Sequence, residues 1–174
     1  MKKITTIGLD LAKSVFQVHA IDESGHKIIN KSIKRKDLSK FFAKQSPCLV
    51  GMEACGGANY WARKIQSFGH EVKIIPAQYV KPYVKTNKND VVDAEAIAEA
   101  VTRPSMRFVS IKSTAQQDVQ CIHRIRSRYI KNRTALSNEI RGFLTEYGIV
   151  FPIGIRRLKE RVPRILEDAE NELT

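Results

Sequence analysis

The sequence predicts an α/β domain followed by a long basic helix. Three observations lead there. Five short β-prone runs alternate with helix-like stretches up to about residue 102, positive charge is concentrated in the segment after it, and a heptad repeat of apolar residues begins near residue 115. The chain has 174 residues, enough for one domain with an appendage and a sizeable core. Its hydrophobic content of 43% argues against wholesale disorder. No apolar run approaches the roughly 20 residues of a membrane span, and Asp10 arrives too early for a secretory signal. Cys48, Cys55 and Cys121 make no CxxC pair, and His19, His26, His70 and His123 are scattered. Neither a disulfide framework nor a Cys/His zinc site is expected, and the chain reads as a reduced, cytoplasmic protein.

The elements follow in order. Residues 4–9 (ITTIGL) are β-branched and apolar, as in a buried strand that ends at Asp10. Residues 14–21 alternate and give a second strand. Asp22-Glu23-Ser24-Gly25 is a turn, and residues 26–33 return as a third strand, completing a meander. A short helix is expected over 36–45. After Pro47, CLVGME reads as an apolar strand ending at Glu53. Gly56-Gly57 breaks the chain before a helix over 58–68, which Gly69 stops, and 71–75 (EVKII) is a further strand closed by Pro76. Residues 77–89 are lysine-rich and irregular in part. Residues 90–102 are Ala-rich and helical. From Ala115 the register runs Val119, Ile122, Arg126, Tyr129, Arg133, Leu136, Ile140, Phe143, Tyr147, with steps of 4 and 3 that define a coiled-coil seam. Ser113 and Thr114 ahead of Gln116 and Gln117 suit a capping box at its start, and Gly148 and Pro152 supply the stop. The seam arginines Arg126 and Arg133 require a carboxylate, a phosphate or solvent as partner. The division expected is a domain over 1–104 and a basic helical segment over 105–174.

Charge supports that division. The formal net charge is +12, made up of +6 over residues 1–100, +10 over 101–164 and −4 over the last ten. A dense positive segment attached to a more balanced domain points to nucleic acid ahead of a merely solvated helix face. A membrane-surface helix fits less well, because the segment lacks a wide, bulky apolar face.

Four carboxylates stand at informative places. Asp10 and Glu53 end the first and fourth strands, and Asp90 and Asp93 open the Ala-rich helix on one face. If those strands are neighbours, the acids converge. Four hard oxygen donors in one place repel one another unless a cation joins them, and Mg²⁺ or Mn²⁺ suits such a set. Two such ions can serve phosphodiester cleavage. Singly, each acid has a plainer reading: Asp90 and Asp93 suit a helix start, Asp10 a strand-end turn, Glu53 the surface. The order strand-end Asp, strand-end Glu, helix DxxD favours the metal site.

GLDLAKSVFQV, MEACGG and KTNKNDVVDAEAIAEA resemble the three motifs of the DEDD transposases of bridge-RNA-guided insertion sequences, to which Piv-type DNA invertases are similar. RSRYIKNRTALSNEIRGFLTEYGI resembles the region that follows the catalytic domain of that family. The resemblance spans about residues 4–154. It implies an RNase H-like (RuvC-like) domain with a five-stranded mixed sheet and helices on its faces. It also implies a metal-dependent site of Asp10, Glu53, Asp90 and Asp93, a coiled-coil segment used in assembly, and a structured guide RNA pairing with donor and target DNA. Such transposases are about twice this length and carry a C-terminal serine domain that nothing here matches. The chain therefore reads as the N-terminal catalytic half, and no serine role is carried over.

The leading expectation is thus part of a DNA transposase that cleaves and exchanges strands. Mg²⁺ or Mn²⁺, two ions, would sit on Asp10, Glu53, Asp90 and Asp93. Lys13 would approach the scissile phosphate, and Arg124, Arg126, Arg128, Lys131, Arg133 and Arg141 would bind nucleic-acid backbone, RNA above all. A dimer or tetramer acting in the cytoplasm at the nucleoid of a bacterium or archaeon is expected, without a membrane. The rivals are a stand-alone RuvC-like junction nuclease and a non-catalytic nucleic-acid-binding remnant. An actin-like ATPase or sugar kinase is a distant fourth, because IGLDLAKS lacks a glycine near Ala12 and no second glycine-rich phosphate motif follows.

Overall fold

The computed structural model describes residues 3–84, 89–171 and 173. Lys85–Lys88, which open the third motif, lie outside the described residues. The chain forms two compact units, Met1–Ser113 and Thr114–Thr174.

The first unit is built on five strands: β1 (Thr6–Asp10), β2 (Val15–Ile21), β3 (Lys27–Lys34), β4 (Leu49–Glu53) and β5 (Glu71–Ile75). Their order across the sheet is β3-β2-β1-β4-β5. The β1–β2 and β2–β3 pairs are antiparallel, which is the expected meander, while β1–β4 and β4–β5 are parallel. Parallel pairing demands crossovers. They are supplied by α1 (Leu38–Ala43) between β3 and β4 and by α2 (Ala58–Gln66) between β4 and β5. This is the five-stranded mixed sheet with flanking helices that the sequence led us to expect.

Alternation along the strands decides what lies on each face. Ile7 and Leu9 of β1, Phe16 and Val18 of β2, and Val50 and Met52 of β4 join Leu38 and Phe42 of α1 and Trp61 and Ile65 of α2 in one fully buried cluster. The other face belongs to α3 (Ala77–Val80) and α4 (Asp90–Val101), where Ile75 and Val80 pack with Ile97 and Val101. There the strands place Gly8 and Gly51 under the helix. A Cβ on Gly8 would stand 2.1 Å from the Ala94 carbonyl oxygen, and one on Gly51 would stand 2.8 Å from Val101 Cβ. Glycine on the strand and alanine on the helix thus let α4 lie directly on β1 and β4.

Two differences from the sequence reading stand out. Residues 77–83, expected to be irregular in part, form α3 and a single 3₁₀ turn. The first unit also continues past residue 104, where the sequence placed its end. Val109 makes a bridge to Ile74 on the edge strand β5, its N–H donating to the Ile74 carbonyl at 2.8 Å, and the Lys112 N–H donates to Asn59 Oδ1 at 2.8 Å. An open strand edge attracts such backbone pairing, and residue-level propensity does not disclose it.

The second unit contains α5 (Thr114–Glu146), 33 residues long, and α6 (Ile155–Glu167). The stop is at the expected place: Gly148 has φ +72°, and the Ile149 N–H donates to the Leu144 carbonyl at 2.9 Å. Among the described residues no helix is long and apolar enough to cross a membrane.

Candidate active site

The acidic residues are brought together by register. Leu9 of β1 is paired with Met52 of β4, so the next residues along, Asp10 and Glu53, end adjacent parallel strands at the same edge of the sheet. Asp10 shares its face with Gly8, and Glu53 with Gly51, which is the face covered by α4. The N-terminus of α4 therefore sits over the strand ends. Asn89 caps that helix, its Oδ1 accepting the Val92 N–H at 2.9 Å. The capping duty that Asp90 could have served is thus already met, and among the described residues neither Asp90 nor Asp93 accepts a hydrogen bond.

Electrostatics ties the four together. Asp10 is half-buried, and its carboxyl is pushed up to about 6 by burial first and then by the charges of Asp90, Asp93 and Glu53, against a backbone N–H bond at Leu11 that works the other way. Burial, with Glu53 and Asp10 behind it, also raises the thiol of Cys55. The acids surround the start of α4. Glu53 and Asp93 share a crevice of about 520 Å³ walled by Ala77, Val80 and Lys81, while Asp90 faces a second hollow with Asn89, Gln17 and Ser32. Among the described residues no three His, Cys, Asp or Glu side chains form a group close enough to hold a metal ion. The charges of Asp90, Asp93 and Glu53 act through space on Asp10. Carboxylates are the donor type that a hard divalent cation takes, and repulsion among them is what raises Asp10 beyond the effect of burial.

A polar network missed by the sequence reading borders Asp10. Gln17, its partner across β1–β2, is buried, donates through Nε2 to Asn30 Oδ1 at 2.5 Å, and accepts from Ser32 Oγ at 2.7 Å. Alternating polar residues on β2 and β3 were its only signal. Lys13 is exposed in the turn after β1, and its carbonyl accepts from Arg35 Nη1 at 3.3 Å. Arg124, Arg126, Arg128, Lys131 and Arg133 are all exposed on α5. Arg141 differs. It donates through Nη2 to the Gly154 carbonyl at 2.9 Å and through Nη1 to Ser137 and Asn138, so its guanidinium ties the end of α5 to the start of α6.

Curated proteins similar to this chain are transposases. A probable family 20 transposase of Pseudomonas aeruginosa is 54% identical over 147 residues, covering 84% of this chain and 44% of its own length. The transposase for insertion sequence element IS1111A of Coxiella burnetii is 49% identical over 174 residues, covering 100% of this chain and 48% of its own length. The chain spans about half the length of the curated relatives it matches. The IS110-type DEDD transposase profile, described as transposase, matches residues 7–149, and the chain belongs to that family. Among solved structures, T. thermophilus RuvC in complex with Holliday junction substrate aligns with 61% of this chain and 99% of its own, at 11% identity and a TM-score of 0.41.

Proposed function

We propose that this chain is the metal-dependent DNA-cleaving part of its transposase, and that the whole protein cleaves and exchanges DNA strands under the direction of a structured guide RNA. The observation that carries the reading is the coupling of Asp10 to Glu53, Asp90 and Asp93 at the start of α4. Asp10, Glu53, Asp90 and Asp93 would hold Mg²⁺ or Mn²⁺, two ions in all. Such ions, when bound, polarise a phosphodiester and make a water or hydroxyl nucleophilic near neutral pH. The chain's own residues position the rest. Asn89 holds the helix start, Gln17 stands opposite Asp10 across the β1–β2 pair, and Lys13 lies in the turn that follows Asp10, where it would meet the phosphate. Arg124, Arg126, Arg128, Lys131 and Arg133 are five exposed cations that would bind nucleic-acid backbone, RNA above all. The exposed seam of α5 would pair with another copy in a dimer or tetramer.

The test is calorimetric titration of Mn²⁺ into the chain beside Asp10→Asn and Asp93→Asn. Binding to the wild type that each substitution weakens at least tenfold (about 1.4 kcal/mol) would place the strand end and the helix start in one site. Binding unchanged in both variants would overturn the site and leave a nucleic-acid-binding module.

A further inference from the structure

We propose that a lysine groove on the β3 edge of the first unit is a docking track for the phosphate backbone of duplex DNA, leading toward the hollow that holds Asp90. The groove, about 570 Å³, is lined by Lys31 and Lys34 of β3 and by Lys36, Lys40 and Lys44 on and around α1. All five lysines are exposed. Among the described residues none of the five is in an ion pair, and Asp37 is the one carboxylate in the lining. Lysines blunt the edges of sheets, and that accounts for Lys31 and Lys34 on the edge strand. It does not account for three more on the adjoining helical stretch. Those three recur every fourth residue, so they share one face, spaced about 6 Å apart at helical rise. That spacing is close to two base steps of axial rise, about 3.4 Å each along a duplex.

The occupant follows from what the groove lacks. Single strands are gripped by exposed aromatic faces on which bases stack. The one aromatic ring in this lining, Phe41, is half-buried and lies beneath Lys31 Nζ at 5.2 Å from its centroid. Point charges on flexible stems suit a regular phosphate backbone without reading its sequence. The direction follows from Ser32, which lines both the lysine groove and the hollow that holds Asp90 and Gln17. Duplex on the lysines would thus bring a strand to the acids, and in this respect the inference rests on the proposed cleavage site.

The experiment measures binding of the chain to a fluorescent DNA duplex, and to a single-stranded RNA of equal length, over a range of salt concentrations with a metal chelator present. The variants are Lys36→Gln/Lys40→Gln/Lys44→Gln and a charge-matched control, Lys3→Gln/Lys27→Gln/Lys64→Gln. The groove variant should lose on the order of a hundredfold in duplex affinity at about 0.1 M salt, and the slope of log K against log salt should become shallower by about 2.7. The control should lose far less. Equal losses in both triples, or a loss confined to RNA, would overturn the groove as a duplex track. The single variant Lys40→Gln, with about one third of the slope change, carries the same test if the triple does not fold. Because the chelator removes metal from the acids, failure here leaves the Mn²⁺ result standing, and failure of Mn²⁺ binding leaves the groove standing.

Discussion

Asp10 holds its proton more tightly in the folded chain than when unfolded, since burial and three neighbouring carboxylates raise it from 3.8 to about 6. Stability from this group is therefore fully present below about pH 4 and is lost as pH rises through about 6. Above that range the ionised Asp10 costs free energy. The shift alone corresponds to about 3 kcal/mol, and solvent at this half-buried site reduces it to about 1–2 kcal/mol. Without divalent metal, Asp10→Asn should then be more stable than wild type by that amount at pH 7.5, with no difference near pH 4. Thermal unfolding in chelator at the two pH values checks it; an Asn variant that is less stable at pH 7.5 would refute it. Excess Mn²⁺ should reverse the order, because the cation stabilises only the chain that binds it. The residue types and their spacing are legible in the sequence here. The perturbed proton affinity is not, because it depends on how closely four residues from three distant stretches approach.

At the scale of elements, the contact of α4 with the sheet decides whether the acids meet. It depends on the absence of a side chain at Gly8 and Gly51, beneath the backbone at Ala94 and the side chain of Val101. Gly8→Ala should push α4 off β1, costing about 3 kcal/mol or more. It should also weaken Mn²⁺ binding without touching any carboxylate. Chemical denaturation and the same titration measure the two effects, and a Gly8→Ala chain of unchanged stability would refute the close packing. The strands were legible because apolar and β-branched runs mark them, and α4 because Ala-rich helix follows a cap. The extension of the first unit to Ser113 was not, since it comes from Val109 finding the open edge of β5. The bonds of Arg141 to Ser137, Asn138 and Gly154 were not legible for a similar reason, since they need the turn that brings Gly154 back to α5.

For the molecule as a whole, the unfinished surface is the seam of α5. Ile122 is 65% exposed, Tyr129 71% and Phe143 61%. Apolar side chains repeating at heptad spacing with no cover in their own unit suit a second helix. Ile122→Asp/Phe143→Asp should raise the dissociation constant of the proposed oligomer by at least about 100-fold, since each charge must be desolvated on pairing. Analytical ultracentrifugation reads this directly. A wild-type chain that remains monomeric at high micromolar concentration would refute self-pairing of the seam. Arg126 and Arg133 lie on either side of Tyr129 along that seam, and their exposure in the single chain leaves both free to meet phosphate or a carboxylate on assembly.

What could be known from the string of residues is whatever depends on neighbours along the chain: five strands, the Ala-rich helix, the heptad helix with its glycine stop, the uneven charge, and four acids at element ends. These rest on local sterics and periodicity, which tertiary contacts did not override. The fold alone decided which elements lie side by side. It set β1 against β4 in parallel so that Asp10 and Glu53 end together. It assigned the cap to Asn89, so that among the described residues neither aspartate side chain is spent on capping. It also gathered lysines from β3 and α1 into one groove. Charges act through space, so their consequences belong to the folded arrangement and not to the order in which the residues are written.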